Sequence, residues 1–250
     1  MISVAIVCFN EANKLQKCLE STQHFAKELV VVDLGSSDNS VEIAGKYGAK
    51  VFHHQLVPFV ESARDYAISK TSGDWVLVLD PDEVIPRLLA DKLIKTVKQN
   101  DFAAVNIPRK NIFFGKWIRH TNWWPDRHIR FFKKGSVRWR DKIHSYPAVK
   151  GKILDLQALP DVAIWHYGYD SIHEFIDRQN RYSEIEAEQR FIEGERMNFW
   201  LFLWRPLREF LVRFIKHKGF LDGFYGFALT FLMMIYQIEV LVEMREKQKK

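Results

Sequence analysis

The sequence predicts an α/β protein, a parallel sheet covered by helices on both faces, with a separate helical part at the carboxyl end. Three observations carry this. Apolar runs alternate with helix-spaced segments from Ile2 to Phe52, the pattern of βαβ units. Val76-Leu77-Val78-Leu79 is dense enough in branched residues to be a strand buried on both faces. Beyond Gly194 the composition turns abruptly aromatic.

Taken in order, Ile2 to Phe9 is the first strand, Asn10-Glu11-Ala12-Asn13 a polar turn, and Leu15, Cys18, Leu19 and Thr22 recur at helical spacing. Leu29-Val30-Val31-Val32 is a second strand that ends in Asp33. Gly35-Ser36-Ser37-Asp38 supplies a flexible turn and a helix cap before Val41, Ile43 and Ala44. Gly48 stops that helix, and Ala49 to Phe52 is a short third strand. The strand ending at Leu79 runs into Asp80-Pro81-Asp82-Glu83, where Pro81 breaks the ladder. Acids therefore end two strands, at the edge where open α/β sheets bind ligands.

Closely spaced carboxylates repel unless something positive lies between them. A hard divalent cation carrying a diphosphate suits this position, since Mg²⁺ combines one or two carboxylates with phosphate oxygens. A solvated acidic turn is the plainer reading, because Asp and Pro are ordinary turn residues.

Composition agrees with one catalytic domain plus an appendage. The 250 residues are 47% apolar, which excludes a disordered chain. Cys8 and Cys18 are the only cysteines, and their spacing is that of reduced thiols in a cytosolic compartment rather than of metal ligands. Met1 to Phe9 reads as a strand and not as a secretory leader. No internal repeat is visible.

Val4 to Glu11, Val31-Val32-Asp33 with Gly35 to Asp38, and Gly73 to Glu83 together resemble family 2 glycosyltransferases, closest to the lipopolysaccharide-core β-1,4-glucosyltransferase group. The likeness continues through Trp124-Pro125-Asp126, Ile129-Arg130-Phe131-Phe132, His166-Tyr167 and Arg181-Tyr182. It implies the GT-A fold, a Rossmann-like nucleotide-sugar-binding sheet, over residues 1–170. It implies a UDP-linked donor, with Phe9, Asn10 and Glu11 lining the base and Asp33 accepting from uracil. Arg64 would lie near the base or diphosphate, although Asp65 follows it where the family usually has Asn. Asp80 would face the ribose or metal, and Asp82 would be the principal ligand of Mn²⁺ or Mg²⁺. His144 is a second candidate ligand, followed by Ser145 where many relatives have Glu.

The chemistry so implied is metal-dependent hexosyl transfer with inversion. It needs a base that takes the acceptor hydroxyl proton as the diphosphate leaves. Asp126 is the candidate, with Glu83 competing; the plainer reading of Asp126 is a turn carboxylate paired with Arg127 or Arg130. The adjacent Trp123 and Trp124 suit a sugar ring. Three readings stay open: transfer to a glycolipid or envelope saccharide, transfer to a polyprenyl phosphate, and a catalytically silent nucleotide-sugar binder on a membrane.

Residues 171–250 read as a helical extension. Ser171-Ile172-His173-Glu174 forms a capping box that opens a polar helix to about Glu193. Phe199 to Trp204 is an aromatic block. On a helix starting at Pro206, Leu207, Phe210, Leu211, Phe214 and Ile215 share one face, opposite Arg208, Arg213, Lys216 and Lys218. Gly223 to Ile238 is an uncharged run of 16 residues, short of the ~20 needed to span a bilayer. With a net charge of +6, this predicts a peripheral anchor on the anionic inner face of the cell membrane. A protein-packed face is the alternative. Nucleic acid is not an expected partner, because the basic residues alternate with a wide apolar face and no recognition motif occurs.

Overall fold

The structure is a computed structural model that describes residues 1–57, 61–139 and 147–249. The chain forms two compact units. Met1–Arg109 and Arg127–His166 make the first, Lys110–Asp126 and Tyr167–Lys250 the second.

In the first unit, strands β1 (Ile2–Cys8), β2 (Glu28–Asp33), β3 (Lys50–His53) and β4 (Trp75–Leu79) form the expected parallel sheet. Every residue of β1, β2 and β4 is buried, which is why these segments are predominantly apolar, with Ser3, Glu28 and Asp33 the polar exceptions. β1 pairs with both β2 and β4, Cys8 opposite Asp33 and Ile6 opposite Leu79. The register therefore delivers Asp33 and the acidic turn after Leu79 to one edge. Helices α1 (Ala12–Thr22), α2 (Ser40–Lys46) and α4 (Arg87–Gln99) cover one face through Leu15, Leu19, Ala44, Leu89 and Leu93. Helix α3 (Glu61–Lys70) covers the other through Ala63 and Ala67.

The remainder of the sheet departs from the parallel expectation. β5 (Glu83–Val84), β6 (Ala104–Phe113), β7 (Lys116–Trp117) and β8 (Asp126–Lys133) follow, then β9 (Val137–Arg138), β10 (Ala148–Val149), β11 (Ile153–Asp155) and β12 (Ile164–Tyr169). The strand order is β3-β2-β1-β4-β8-β6-β12-β5, with β8 antiparallel to β4 and β5 antiparallel to β12. The mixed sheet has a local consequence. β8 carries Arg130 back towards the acidic turn, and the β5–β12 ladder sets His166 opposite Glu83.

At the opposite edge, Glu28 accepts from Ser3 Oγ (2.5 Å), Ser72 N (2.7 Å), Ser72 Oγ (2.9 Å) and Lys50 Nζ (2.7 Å). Burial works against its charge, but these donors outweigh it and hold the carboxyl down at about 2. Gly73 closes the network: a Cβ there would lie 2.5 Å from Ser3 Oγ. β1, β2 and the turn before β4 are thereby fixed in register.

The second unit has its own core, built on Phe113, Ile118, Tyr169, Phe175, Leu229, Val240 and Leu241 among others. Helix α5 (Ile172–Ile192) opens on the expected capping box, Ser171 Oγ accepting from Glu174 N (3.1 Å) and Glu174 Oε2 from Asp170 N (2.8 Å). Helix α6 (Phe199–Phe210) starts seven residues before Pro206, the start that the sequence suggested, because Asn198 Oδ1 caps Leu201 N (2.9 Å). The helix then widens to a π-type turn over Leu211–Lys216. A short 3₁₀ turn, Gly219–Asp222, leads into helix α7 (Phe224–Lys249). Gly226 lets the first turn of α7 rest on this turn, since a Cβ there would lie 1.9 Å from Gly219 O.

Candidate active site

At the carboxyl edge of the first unit, two loops are tied together. Asn10, at φ +54°, donates its N–H to Ser36 Oγ (2.9 Å), and its side-chain oxygen accepts from Ser37 N (2.8 Å). Glu11 N donates to Ser40 Oγ (3.1 Å), and Ala12 N to Asp38 Oδ2 (2.9 Å). Phe9 stands 41% exposed beside them, an aromatic surface on a fixed floor. Asp33 is buried beneath and accepts from Gly35 N (3.1 Å) and Ser36 N (3.1 Å), with His53 Nδ1 at 3.3 Å. Burial alone would raise its carboxyl, but the bonds from Ser36, Gly35 and His53 prevail and keep it below the usual range. In this structure Asp33 organises the loop from within.

The turn after β4 separates its acids into different surroundings. Asp80 is gripped by two guanidinium groups: Arg64 Nη2 reaches Oδ1 at 2.9 Å and Arg130 Nη2 reaches Oδ2 at 2.5 Å. Burial opposes its charge, yet Arg130 and Arg64 hold the carboxyl well below the ordinary range. Glu83 is completely buried and accepts from Asp80 N (2.9 Å), with Arg130 Nη2 at 3.3 Å and Arg109 Nη1 at 3.5 Å. There burial dominates and raises the carboxyl. Helix α1 steadies the turn from below: Ser21 Oγ accepts from Ile85 N (3.1 Å), and Cys18 Sγ donates to Asp80 O (3.6 Å).

Asp82 lies between these two acids in sequence, and His166 Nε2 stands 3.5 Å from its Oδ2. Both are nearly buried. No group of three His, Cys, Asp or Glu suited to a metal occurs among the described residues. One carboxylate beside one imidazole does fit a cation that arrives with a diphosphate and keeps its waters, since such ions take few protein ligands. It does not fit an ion caged by protein alone. His144 lies outside the described residues.

In the second unit, Asn111 Nδ2 donates to Asp126 Oδ2 (3.1 Å) and to Trp123 O (2.9 Å). One buried amide thus spans both ends of the Trp123–Asp126 turn, whose Trp124-Pro125 bond is cis. Trp123 packs edge-on to Phe113 (5.0 Å), with the Arg213 guanidinium 5.1 Å above it. Trp124 meets Trp117 edge-on (5.4 Å), and Trp117 is flanked by Arg119 (4.4 Å) and Lys110 (4.9 Å).

The structure thus gathers Phe9, Asn10, Glu11 and Asp33 at one loop pair, and Arg64, Asp80, Asp82 and Glu83 at the next. Sequence reasoning missed Arg109 and the pairing of Arg130 with Asp80 and Glu83. It took His166 only as part of a string. The signal for all three is strand register, which the apolar pattern of β6, β8 and β12 does not carry.

Comparison with known proteins shows the family. A chain 25% identical over 252 residues is the lipopolysaccharide core biosynthesis glycosyltransferase LpsC of Rhizobium meliloti (strain 1021), covering 94% of this chain and 92% of that protein. An uncharacterised glycosyltransferase of Rickettsia felis is 26% identical, covering 98% of this chain and 89% of the relative. Among solved structures, Staphylococcus aureus TarS 1-349 aligns over 100% of this chain and 92% of its own, at 13% identity and a TM-score of 0.49. The family model described as Glycosyl transferase family 2 matches residues 3–154, well over half of the sequence. The chain belongs to glycosyl transferase family 2.

Proposed function

We propose that this transferase moves a hexose, with inversion, from a UDP-linked donor to a hydroxyl of a glycolipid or cell-envelope saccharide at the cytoplasmic face of the membrane. The observation that carries the reading is the acidic turn: Asp82 beside His166, next to an Asp80 already neutralised by Arg64 and Arg130. The relative that acts in lipopolysaccharide core biosynthesis supports an envelope saccharide as acceptor.

On this reading the tied loops present Phe9, Asn10 and Glu11 to the base, with Asp33 setting their shape. Asp82 and His166 would hold Mn²⁺ or Mg²⁺, which when bound stabilises the charge of the departing diphosphate. Asp80, Arg64 and Glu83 keep the turn rigid: a half-buried, doubly clamped carboxylate and a fully buried Glu are placed to orient rather than to exchange protons. Asp126, whose carboxylate is aimed by Asn111, takes the acceptor proton. Residues 1–170 serve as the catalytic domain, and 171–250 bring it to the membrane.

Thermal shift with a panel of nucleotide sugars, with and without Mn²⁺, tests the donor. A UDP-sugar at 100 times its dissociation constant stabilises by about 2.7 kcal/mol, and the shift requires the metal. Stabilisation by another nucleotide alone would overturn the uridine assignment. Binding without turnover of any acceptor would favour the silent binder.

For the membrane, Trp200 and Phe224 are each 77% exposed, and Trp204, Leu207, Ile215, Phe220 and Leu221 are exposed as well. Arg208, Lys216 and Lys218 are exposed with them. Helix α7 is by length and composition apolar enough to cross a bilayer, and a stripe from Leu229 to Met244 is buried in the core of the second unit. A monotopic seat therefore suits it better than a span. Full-length protein is expected to sediment with anionic liposomes. Reversing Arg208, Lys216 and Lys218 to Glu weakens this by about 1 kcal/mol per charge, with salt acting likewise. Full-length protein remaining in the supernatant would show that the apolar face meets protein instead.

A further inference from the structure

The aromatic carboxyl-terminal segment contains one deeply buried acid, Asp222, 4% exposed. A carboxylate buried there needs donors, and it finds four in a single stretch of chain a hundred residues earlier. Arg119 N (3.1 Å) and His120 Nδ1 (3.1 Å) meet its Oδ1; His120 N (2.8 Å) and Thr121 Oγ1 (3.0 Å) meet its Oδ2. Lys116 Nζ donates to the Asp222 carbonyl (3.2 Å). Two further bonds reach the same stretch from the π-type turn: Arg213 Nη1 donates to Thr121 O (2.9 Å), and Thr121 N to His217 O (3.2 Å).

What these bonds hold is unusual. Thr121 and Asn122 are consecutive non-glycine residues in the left-handed region, at φ +59° and +65°. Such conformations persist only where the surroundings over-determine them, and they cluster at functional sites. Thr121 is fully buried, and Trp123 N closes the turn on His120 O (2.9 Å). The next residues are Trp124, Pro125 and Asp126. The carboxylate of Asp222, the forced backbone at Thr121–Asn122 and the Asn111 amide form a continuous chain of support that ends at Asp126.

We propose that Asp222 is the positioning residue of the acceptor-side loop: by anchoring Arg119, His120 and Thr121 it fixes the Trp123–Asp126 turn so that Asp126 can remove the acceptor proton. The proposal rests on the reading of Asp126 as the base. It makes the carboxyl-terminal helices part of the acceptor-side machinery. A merely structural Asp222 would affect stability and the fraction of active protein, and nothing else.

The test compares full-length Asp222→Asn, Thr121→Val, Thr121→Ser, Asp126→Asn and the Asp222→Asn/Asp126→Asn double variant. Turnover is counted per UDP-binding site, so that misfolded protein drops out. Asp222→Asn is expected to lower kcat roughly 100-fold, the scale of a small displacement of a reacting group, with donor affinity unchanged. Thr121→Val, which loses one hydrogen bond at constant shape, lowers kcat about tenfold, whereas Thr121→Ser keeps the hydroxyl and the rate. In the Asp126→Asn background the Asp222 substitution adds almost nothing. If Asp222→Asn does not fold, the Val/Ser pair at Thr121 decides by the same readout. An unchanged kcat per site, a loss that multiplies undiminished in the double variant, or a loss in donor affinity instead would overturn the positioning role. A normal rate in Asp126→Asn would overturn the base assignment, and the route through it, even where Asp222→Asn is slow. A normal rate in Asp222→Asn beside a crippled Asp126→Asn overturns the positioning alone.

Discussion

Replacing Asp126 with Asn is expected to lower turnover by ~10²- to 10⁴-fold while donor affinity and melting temperature stay at wild-type values. The side-chain oxygen of Asn still accepts from Asn111, so the turn keeps its shape and only basicity is lost. The loss should appear in kcat and in kcat/KM for the acceptor alike, because the proton moves only in the transition state. Steady-state kinetics at saturating donor, with UDP binding by calorimetry, separate the two quantities. Wild-type kcat with a hydroxyl acceptor would remove Asp126 from the chemistry. It would favour a phosphate acceptor, whose oxygen is already ionised and needs no base. Glu83 is a poor substitute, since it is completely buried beneath Arg109, Arg130 and the Asp80 amide.

The parallel half of the sheet was legible because β1, β2 and β4 are buried on both faces and so carry dense apolar runs, with the short β3 marked by the Gly48 stop before it. The antiparallel half was not. β5 is two residues long and β12 carries Trp165, His166 and Tyr167 among its six, so neither shows a period. The acidic turn was legible as a cluster of carboxylates, but their division of labour was not. Asp80, Asp82 and Glu83 look alike in sequence, and only the strands that bring Arg130, Arg109 and His166 beside them distinguish clamped, cation-facing and buried acids.

The carboxyl-terminal segment shows a different limit. A helical wheel at 3.6 residues per turn put Arg213 on the basic face with Arg208, Lys216 and Lys218. The backbone from Leu211 to Lys216 follows a wider π-type turn, so that periodicity does not hold there. The Arg213 side chain is 12% exposed and lies over Trp123, with Glu209 and Thr121 O as its partners. Asp222 read as a charge interrupting an apolar stretch. Its partners lie 101 to 103 residues away, a separation at which sequence pattern carries no signal.

Asp80 and Asp82, two residues apart, should respond to the same substitution in opposite ways. Asp82→Asn keeps the fold and removes the charge that would hold a divalent ion against the diphosphate, so Mn²⁺-dependent donor binding and transfer are both lost. Asp80→Asn breaks the clamp and leaves Arg64 and Arg130, 9% and 5% exposed, facing each other without a full counter-charge. Unpairing a buried ion of this kind costs ~3–5 kcal/mol, and the partial exposure of Asp80 points to the lower end, a fall of roughly 6–12 °C in Tm. Acid provides a second check. Because the native carboxyl of Asp80 is held below its ordinary value, its contribution is fully present above about pH 4 and fades as pH falls through the native value. The stability gap between wild type and Asp80→Asn should therefore narrow as pH falls below about 4 and remain level near neutrality. Calorimetry between pH 3 and 8, paired with donor titration in Mn²⁺, reads both variants. An Asp82→Asn enzyme that still binds donor through the metal would sink the cation assignment. An Asp80→Asn protein as stable as wild type would mean that the two arginines find other charges, and that Asp80 is available to the donor after all.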